Sequence, residues 1–357
     1  MNNYKIVLLS GDGIGPEISN VSKKLLIKLS EKYKFNFELK EELFGGIAYE
    51  KKGSPAPQET LENCKSSDAV LLSCVGDTKY DSLPRDLRPE KGLLKLRSEL
   101  NLFANIRPVK IRKSLLNAST LKEEIIENVD LIVVRELTGG IYFGEPRGIV
   151  NIAGEKKGFN TMTYSSNEIK RITEVAIKIT KERNNKICSV DKANVLEVSQ
   201  LWRESVEEIM KNHPKIEFSN MYVDNAAMQL IRDPSQFDVI LTNNLFGDIL
   251  SDLAAMLSGS IGMLPSASLS NDGPGVFEPV HGSAPDIAGK DIANPIAMAL
   301  STAMMLRIGL NEPKAADNIE LAIDKVLSKG FRTRDLIDKE SQILSCSEMG
   351  EKIIHEI

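Results

Sequence analysis

The chain has 357 residues, 42% of them hydrophobic and 27% charged, and its 45 basic against 50 acidic side chains leave a net charge of −5. That mixture excludes a disordered chain and argues against a general nucleic-acid binder, which needs a clustered basic surface. Cys64, Cys74, Cys188 and Cys346 make no CxxC pair or metal-ligand spacing, and the start MNNYKIVLLSGDG has no long apolar block, so a reduced, cytoplasmic protein is expected.

In chain order, Lys5–Leu9 reads as a strand and runs into GDGIGP, from Gly11 to Pro16, with a helix after Pro16. The spacing is GxGxG, whereas the dinucleotide fingerprint is GxGxxG with its third glycine inside the helix, so an ordinary Rossmann site is not expected. A tight turn, with or without an anion or cofactor edge at its amides, is. Ala69–Cys74 is a second strand, followed by the Pro- and charge-rich loop Gly76–Gly92, long enough to be functional.

Three arginines follow: Arg97 in GLLKLRSEL, Arg107 in FANIRPVK, and Arg135 behind the strand Leu131–Val134. A guanidinium directly after a buried strand costs desolvation unless it meets an anion, and in open α/β sheets ligands sit beyond the carboxyl ends of strands. The three either converge on a substrate with two carboxylates or make separate salt bridges. Tyr142 lies in GGIYFGEPRG. Ser165 and Glu168 form a capping box ahead of a helix over Asn167–Asn184.

Ile187–Val190 is a strand ending near Lys192, which is either a base of lowered pKa, with Tyr142 returning a proton, or a solubilising strand-end residue. A helix over Glu197–Asn212 precedes the strand-like Phe218–Val223 and Asp224. Val239–Thr242 precedes a helix over Gly247–Leu257, on which Asp248 and Asp252 share a face four residues apart. That pair is either a Mg²⁺ or Mn²⁺ site or a solvated helix face. Glu278 to Gly289 reads as a polar loop after a short strand. Amides near Gly282 to Ala284 suit a phosphate, Asp286 suits a ribose diol and repels a 2′-phosphate, and His281 is a ligand contact or a locally bonded loop histidine. Ile292–Leu310 carries Asn294, Pro295, Ser301, Thr302 and Arg307, which makes it an interior helix rather than a membrane span of about 20 apolar residues.

Buried strands alternating with helices imply an α/β fold with a mixed, mostly parallel sheet. No repeat or flexible linker appears, so any division into two lobes comes from chain crossings.

The blocks GDGIGPE, GLLKLR, LFANIRP, VRELTGGIYFGEPRG, SVDKANVLEVSQLWRE, NLFGDILSDLAAMLSGSIGMLPSASL and EPVHGSAPDIAGKDIANPIA resemble, nearly end to end, the β-decarboxylating dehydrogenases that act on isocitrate, tartrate, homoisocitrate and 3-isopropylmalate. YFGEPRG, NLFGDILSD and the GLL segment are of the 3-isopropylmalate type. The resemblance implies that family's two-lobed fold, which is not a Rossmann domain. It implies a discontinuous cofactor lobe, 1–102 plus 259–357, and a metal-binding and dimerisation lobe, 103–258, with the substrate cleft between them. It also implies oxidative decarboxylation of 3-isopropylmalate to 4-methyl-2-oxopentanoate, CO₂ and NADH, a step of leucine biosynthesis.

By the same resemblance Arg97, Arg107 and Arg135 hold the malate carboxylates, and Asp224, Asp248 and Asp252 are ligands of Mg²⁺ or Mn²⁺, with Asp224 also beside the substrate. Lys192 is the base at the C2 hydroxyl and Tyr142 the acid at the enol carbon. NAD is held by Ile14, Glu278, His281, Gly282, Ser283, Ala284, Pro285, Asp286, Ile287 and Asn294. A homodimer shares Lys192 and Asp224 across its interface, and neither nucleic acid nor membrane is a partner. Glu90, Leu93 and Leu94 set substrate choice: the leucines wall an isopropyl group and Glu90 repels a further carboxylate. After Cys74 the chain reads VGDTKYDSL where a GGPKW-like run is common. The alternatives are a tartrate- or D-malate-type enzyme and a catalytically silent regulatory member.

Overall fold

The computed structural model describes residues 2–338 and 341–357. Twelve strands carry the architecture. They are β1 (Asn3–Gly11), β2 (Asn36–Glu42), β3 (Ala69–Cys74), β4 (Ala104–Lys110), β5 (Asp130–Glu136), β6 (Gly148–Ile152), β7 (Glu155–Phe159), β8 (Lys186–Asp191), β9 (Glu217–Tyr222), β10 (Val239–Thr242), β11 (Pro265–Leu269) and β12 (Gly275–Pro279). The chain divides into two compact units, Met1–Leu102 with Ile111–Glu123 and Ala255–Ile357, and Phe103–Lys110 with Glu124–Ala254.

In the first unit the strand order is β2-β1-β3-β12-β11, parallel except for the antiparallel β11/β12 pair. Every residue of β3 is buried, as expected of a strand covered on both faces. The helix Ile296–Met304 is buried at all nine positions, which is why its sequence is apolar but for Ser301 and Thr302, whose hydroxyls donate to Ala297 O at 2.8 Å and Met298 O at 3.0 Å, and it continues as a π-turn over Met305–Gly309. Among the described residues no helix is long and apolar enough to cross a membrane.

Because β1, β3 and β12 run parallel, their carboxyl ends gather the GDGIGP turn, the segment after Cys74 and the His281 loop at one edge. Asp12 N donates to Cys74 O at 2.9 Å and Ile14 N to Ser283 O at 2.9 Å. Two expectations shift here. Glu278 lies inside β12 rather than in the loop behind it. The Gly76–Gly92 loop ends earlier, because the helix Pro89–Glu99 begins at Pro89 and carries Glu90. Proline at a first helical position loses no bond, since its missing N–H would have been unpaired anyway.

The second unit has the order β4-β5-β10-β8-β9, with only β4/β5 antiparallel. Its helix Ser166–Lys181 starts at the complete capping box of Ser165 and Glu168. It buries Ile169, Ile172, Thr173, Ala176, Ile177 and Thr180, a stripe at the helical period. Trp202, on the helix Glu197–Met210, donates to Ser189 Oγ at 3.2 Å and meets Tyr164 edge-on at 5.4 Å between ring centroids. The β6/β7 hairpin is exposed along its length. The fold is α/β, a mixed and mostly parallel sheet with helices on its faces, and it lacks the Rossmann glycine pattern.

Candidate functional site

In the second unit β5, β10, β8 and β9 are mutually parallel, so Arg135, the residues after Thr242, Lys192 and Asp224 all emerge at the carboxyl edge, where open sheets bind ligands. Arg135 is 2% exposed. Its Nη1 pairs with Asp248, and Arg107 reaches Asp248 at 3.7 Å and Asp252 at 3.1 Å. Arg107, in β4, also donates to Ser251 Oγ at 2.8 Å and Asn105 Oδ1 at 2.8 Å. Tyr142 OH donates to Asp248 Oδ2 at 2.9 Å. Arg107, Arg135, Asp248, Asp252 and Tyr142 thus form one charged centre.

Gly247 explains how Arg135 gets there. A Cβ at that position would lie 2.6 Å from the arginine's Cγ and 2.8 Å from its Cβ. Only glycine lets the stem of the arginine lie on the first turn of the helix Asn244–Ala255.

Burial, the largest influence on the Asp248 carboxyl, pushes its pKa up. The Arg135 and Arg107 guanidiniums and the Tyr142 hydroxyl more than reverse this and hold it below the ordinary carboxylate value. At Asp252 burial dominates and the repulsion of Asp248 adds to it, so the pKa is raised despite Arg107. Tyr142 is raised by burial and by its bond to Asp248, which keeps the phenol protonated. A protonated phenol, two anchored guanidiniums and two carboxylates suit a dicarboxylate substrate and a divalent cation. The donors to the cation would all be oxygen, which fits Mg²⁺ or Mn²⁺ rather than a thiophilic metal.

Lys192 Nζ pairs with Asp224 and holds that carboxyl low. Asp224 does not join Asp248 and Asp252. Among the described residues the trio of candidate ligand atoms lying within 4.8 Å of one another is Glu17, Asp291 and Cys346. That trio has a local explanation: Asp291 accepts from Ser347 N at 2.8 Å and Ser347 Oγ at 2.6 Å at the start of the last helix, and Glu17 accepts from Gly289 N. The free cysteines Cys64, Cys74 and Cys346 are buried, and burial pushes their thiols to about 12, so they are not nucleophiles.

The first unit holds a pocket of about 580 Å³ lined by Ile14, His281, Gly282, Ala284, Ile287 and Asn294, all expected at a nucleotide site. Ser283 is buried beside it and uses its carbonyl to hold Ile14 N, while Pro285 and Asp286 are exposed on the same loop. Glu278 does not line the pocket. It pairs with Arg97 at 3.1 Å, and Arg97 Nε is buried with no partner. Leu93 and Leu94 are half-buried on the Arg97 helix and Glu90 is exposed, beside Gly76.

His281 supplies a direct test of the pocket. Its Nδ1 faces Gly282 O at 2.8 Å and therefore carries the proton, which leaves Nε2 as an acceptor, and Nε2 is buried without a partner. Burial holds the imidazole pKa down, so the ring stays neutral. An orphaned acceptor in an apolar pocket beside an asparagine fits a heteroaromatic base with amine donors, as adenine has.

Ser260, Gly262, Arg334 and Asp335 also line the pocket and were missed in the sequence. Asp335 accepts from Asn294 Nδ2 at 3.0 Å and from Ser260 Oγ at 2.5 Å, so it fixes the expected asparagine. The only signal was Ser260's place in the SGSIG stretch. The link to residues 334–335 is long-range and leaves no local pattern.

The chain matches the isocitrate/isopropylmalate dehydrogenase family over residues 5–353. It is 75% identical to a 3-isopropylmalate dehydrogenase of Prochlorococcus marinus (strain MIT 9312), over all of both chains. It is 60% identical to the one from Synechococcus sp. (strain CC9902), over 99% of each. Among solved structures it is similar to an isocitrate dehydrogenase from Methylococcus capsulatus, with TM-score 0.88, 35% identity and 99% of each chain covered. A β-decarboxylating dehydrogenase from Thermococcus kodakarensis aligns with TM-score 0.79 and 33% identity, over 99% of this chain and 96% of that one. An arginine–carboxylate–tyrosine centre on one unit, a nucleotide-type pocket on the other and a match that spans nearly every residue lead to one assignment: the chain belongs to the isocitrate/isopropylmalate dehydrogenase family.

Proposed function

We propose that this chain is an NAD⁺- and Mg²⁺- or Mn²⁺-dependent enzyme that oxidises 3-isopropylmalate at C2 and decarboxylates it, giving 4-methyl-2-oxopentanoate, CO₂ and NADH in leucine biosynthesis in the cytoplasm. The observation that carries the reading is the convergence of Arg107, Arg135 and Tyr142 on Asp248. The relatives above, named 3-isopropylmalate dehydrogenase, support the choice of substrate. We assign the pocket at His281 and Asn294 to NAD⁺ and the centre at Asp248 and Asp252 to the metal and substrate.

The guanidiniums of Arg107 and Arg135 orient the substrate by paired N–H donors to its carboxylates. Lys192 takes the C2 hydroxyl proton. When bound, NAD⁺ accepts the hydride and the divalent cation polarises the C2 oxygen. Loss of CO₂ leaves an electron pair at C3, and Tyr142, kept protonated by burial and Asp248, delivers a proton there. By the resemblance we assign Leu93 and Leu94 to selection of an isopropyl group and Glu90 to rejection of a third carboxylate.

The pairing of Lys192 with Asp224, apart from Asp248 and Asp252, supports a second chain as the donor of both groups to each site. Exposed apolar residues on the second unit, including Ile149 (66%), Ile152 (54%) and Ile249 (56%), support a homodimer.

The test is NADH formation with 3-isopropylmalate, isocitrate, D-malate and tartrate in parallel, each with Mg²⁺ and with excess EDTA. Turnover selective for 3-isopropylmalate and lost in EDTA is expected. Preference for D-malate or tartrate overturns the substrate assignment, and no turnover on any of them overturns the enzyme.

A further inference from the structure

The motif NLFGD holds two groups already accounted for, Gly247 under the stem of Arg135 and Asp248 against its Nη1. Its first residue, Asn244, has no role so far, yet it is 1% exposed and every polar atom of its amide is used. Asn244 Oδ1 accepts from Arg135 Nε at 3.1 Å and from Arg135 Nη2 at 2.7 Å. Its Nδ2 donates to Leu137 O at 3.0 Å and Gly139 O at 3.1 Å. Its backbone N–H donates to the Tyr164 hydroxyl at 2.9 Å.

Leu137 and Gly139 belong to the turn between β5, which carries Arg135, and the helical turn Gly140–Tyr142, which carries the acid. The Glu136 carboxylate, fully buried, accepts from Thr138 N at 3.0 Å and Gly139 N at 2.7 Å. The turn is held at both its N–H and its C=O groups.

We infer that Asn244 is a positioning residue for the reaction proposed above, on which this inference rests: one amide fixes the Arg135 guanidinium and the turn that carries Tyr142 relative to each other. The chemistry of the side chain suits this and few others do. One end must accept from a guanidinium while the other donates to two carbonyls, and an amide in a single orientation satisfies both. The flipped amide would set NH₂ against the guanidinium and oxygen against both carbonyls. An aspartate would repel the carbonyls and neutralise the arginine, leaving less charge for the substrate carboxylate. Asn244 is also neutral, so its hold on Arg135 orients the cation without competing for it electrostatically.

The experiment compares wild type with Asn244→Ala, Asn244→Asp and the milder Asn244→Ser, measuring kcat and separate KM values for 3-isopropylmalate and NAD⁺, with circular dichroism as the folding control. Removing hydrogen bonds to a charged group is expected to raise the 3-isopropylmalate KM of Asn244→Ala about 10- to 100-fold. The NAD⁺ KM should stay within about two-fold, since none of the network's residues lines the pocket assigned to the nucleotide. In Asn244→Asp, kcat should fall as well, because the turn bearing Tyr142 is displaced. If Asn244→Ala does not fold, Asn244→Ser carries the same comparison with a smaller shift. A 3-isopropylmalate KM unchanged in the folded variants, or one that rises in step with the NAD⁺ KM, overturns the inference. Titration calorimetry with 3-isopropylmalate separates the two levels. Wild type that binds without turnover sinks the proposed reaction alone, because the variants' binding still reports on Arg135. Wild type that turns over beside unaffected variants sinks the positioning role alone.

Discussion

A hydrogen in place of a methyl group at Gly247 decides whether Arg135 can lie where it does. Adding a Cβ there forces contacts of 2.6, 2.8 and 3.1 Å on three carbons of a side chain that is 2% exposed and pinned at its head, so the arginine must shift rather than swing away. Gly247→Ala is therefore expected to destabilise the protein by about 1–3 kcal/mol, the usual range for overpacking, although alanine is the better helix former. The 3-isopropylmalate KM should rise with it. Urea denaturation together with steady-state kinetics checks both, and a variant as stable and as active as wild type would show that the stem of Arg135 has slack. Arg135 itself was legible in the sequence because a charge directly behind a buried apolar run demands a reason. Asn244 was not, since nothing near it in the chain gives an asparagine there a partner. The partners of its side chain, Arg135, Leu137 and Gly139, lie more than 100 positions away in the chain.

At the level of elements, GDGIGP shows how a glycine motif can be read for what it is not and still hide what it is. The failed dinucleotide spacing was visible in the letters. Which groups the glycines approach was not. A Cβ on Gly11 would fall 1.9 Å from Cys74 O, and one on Gly13 would fall 2.0 Å from Ser283 O, both at positive φ, so this turn is the seam where three parallel strand ends meet. Asp12 closes the seam: its carboxylate accepts from Gly46 N and Gly76 N at 2.8 Å and from Ile47 N at 2.9 Å, and the side chain is 7% exposed.

Removing it leaves three amides unpaired at once, those of Gly46 and Gly76 buried and that of Ile47 half-buried. Asp12→Ala should cost about 3 kcal/mol or more, since each stranded donor costs about 1–3 kcal/mol, and it should loosen the segment after Gly76. Denaturant melts with hydrogen exchange at Gly46, Ile47 and Gly76 measure both. Loss of less than about 0.5 kcal/mol, the scale of an ordinary surface substitution, would refute the seam. The element types themselves were readable, because β3, apolar but for Ser73, and the 3.6-residue stripe behind Ser165 are strong patterns. Glu278 was misplaced into a loop because a charged residue followed by Pro279 reads as a strand end. In the fold its buried charge is matched by Arg97, a partner 181 positions away that no local rule supplies.

For the whole molecule the open question is stoichiometric: whether one chain holds a complete site. Lys192 is tied to Asp224, while Asp248 and Asp252 are tied to Arg107 and Arg135. If each site takes its lysine from the partner, two inactive variants can repair one another. Lys192→Met removes the proposed base, and Asp252→Asn removes a charge of the proposed metal site from a side chain that is 55% exposed, so neither change should unfold the protein. In a mixed dimer one site then has both defects, and the other combines an intact Asp252 from one chain with an intact Lys192 from its partner. Random mixing makes half the dimers hybrid with one working site of two, so an unfolded and refolded mixture of the two variants should recover about a quarter of wild-type activity. With sites confined to single chains, every chain in the mixture carries a defect in its own site and no activity returns. The ratio of recovered activity to hybrid dimer, counted by native mass spectrometry, therefore separates a shared site from a private one without any need to know how the subunits dock.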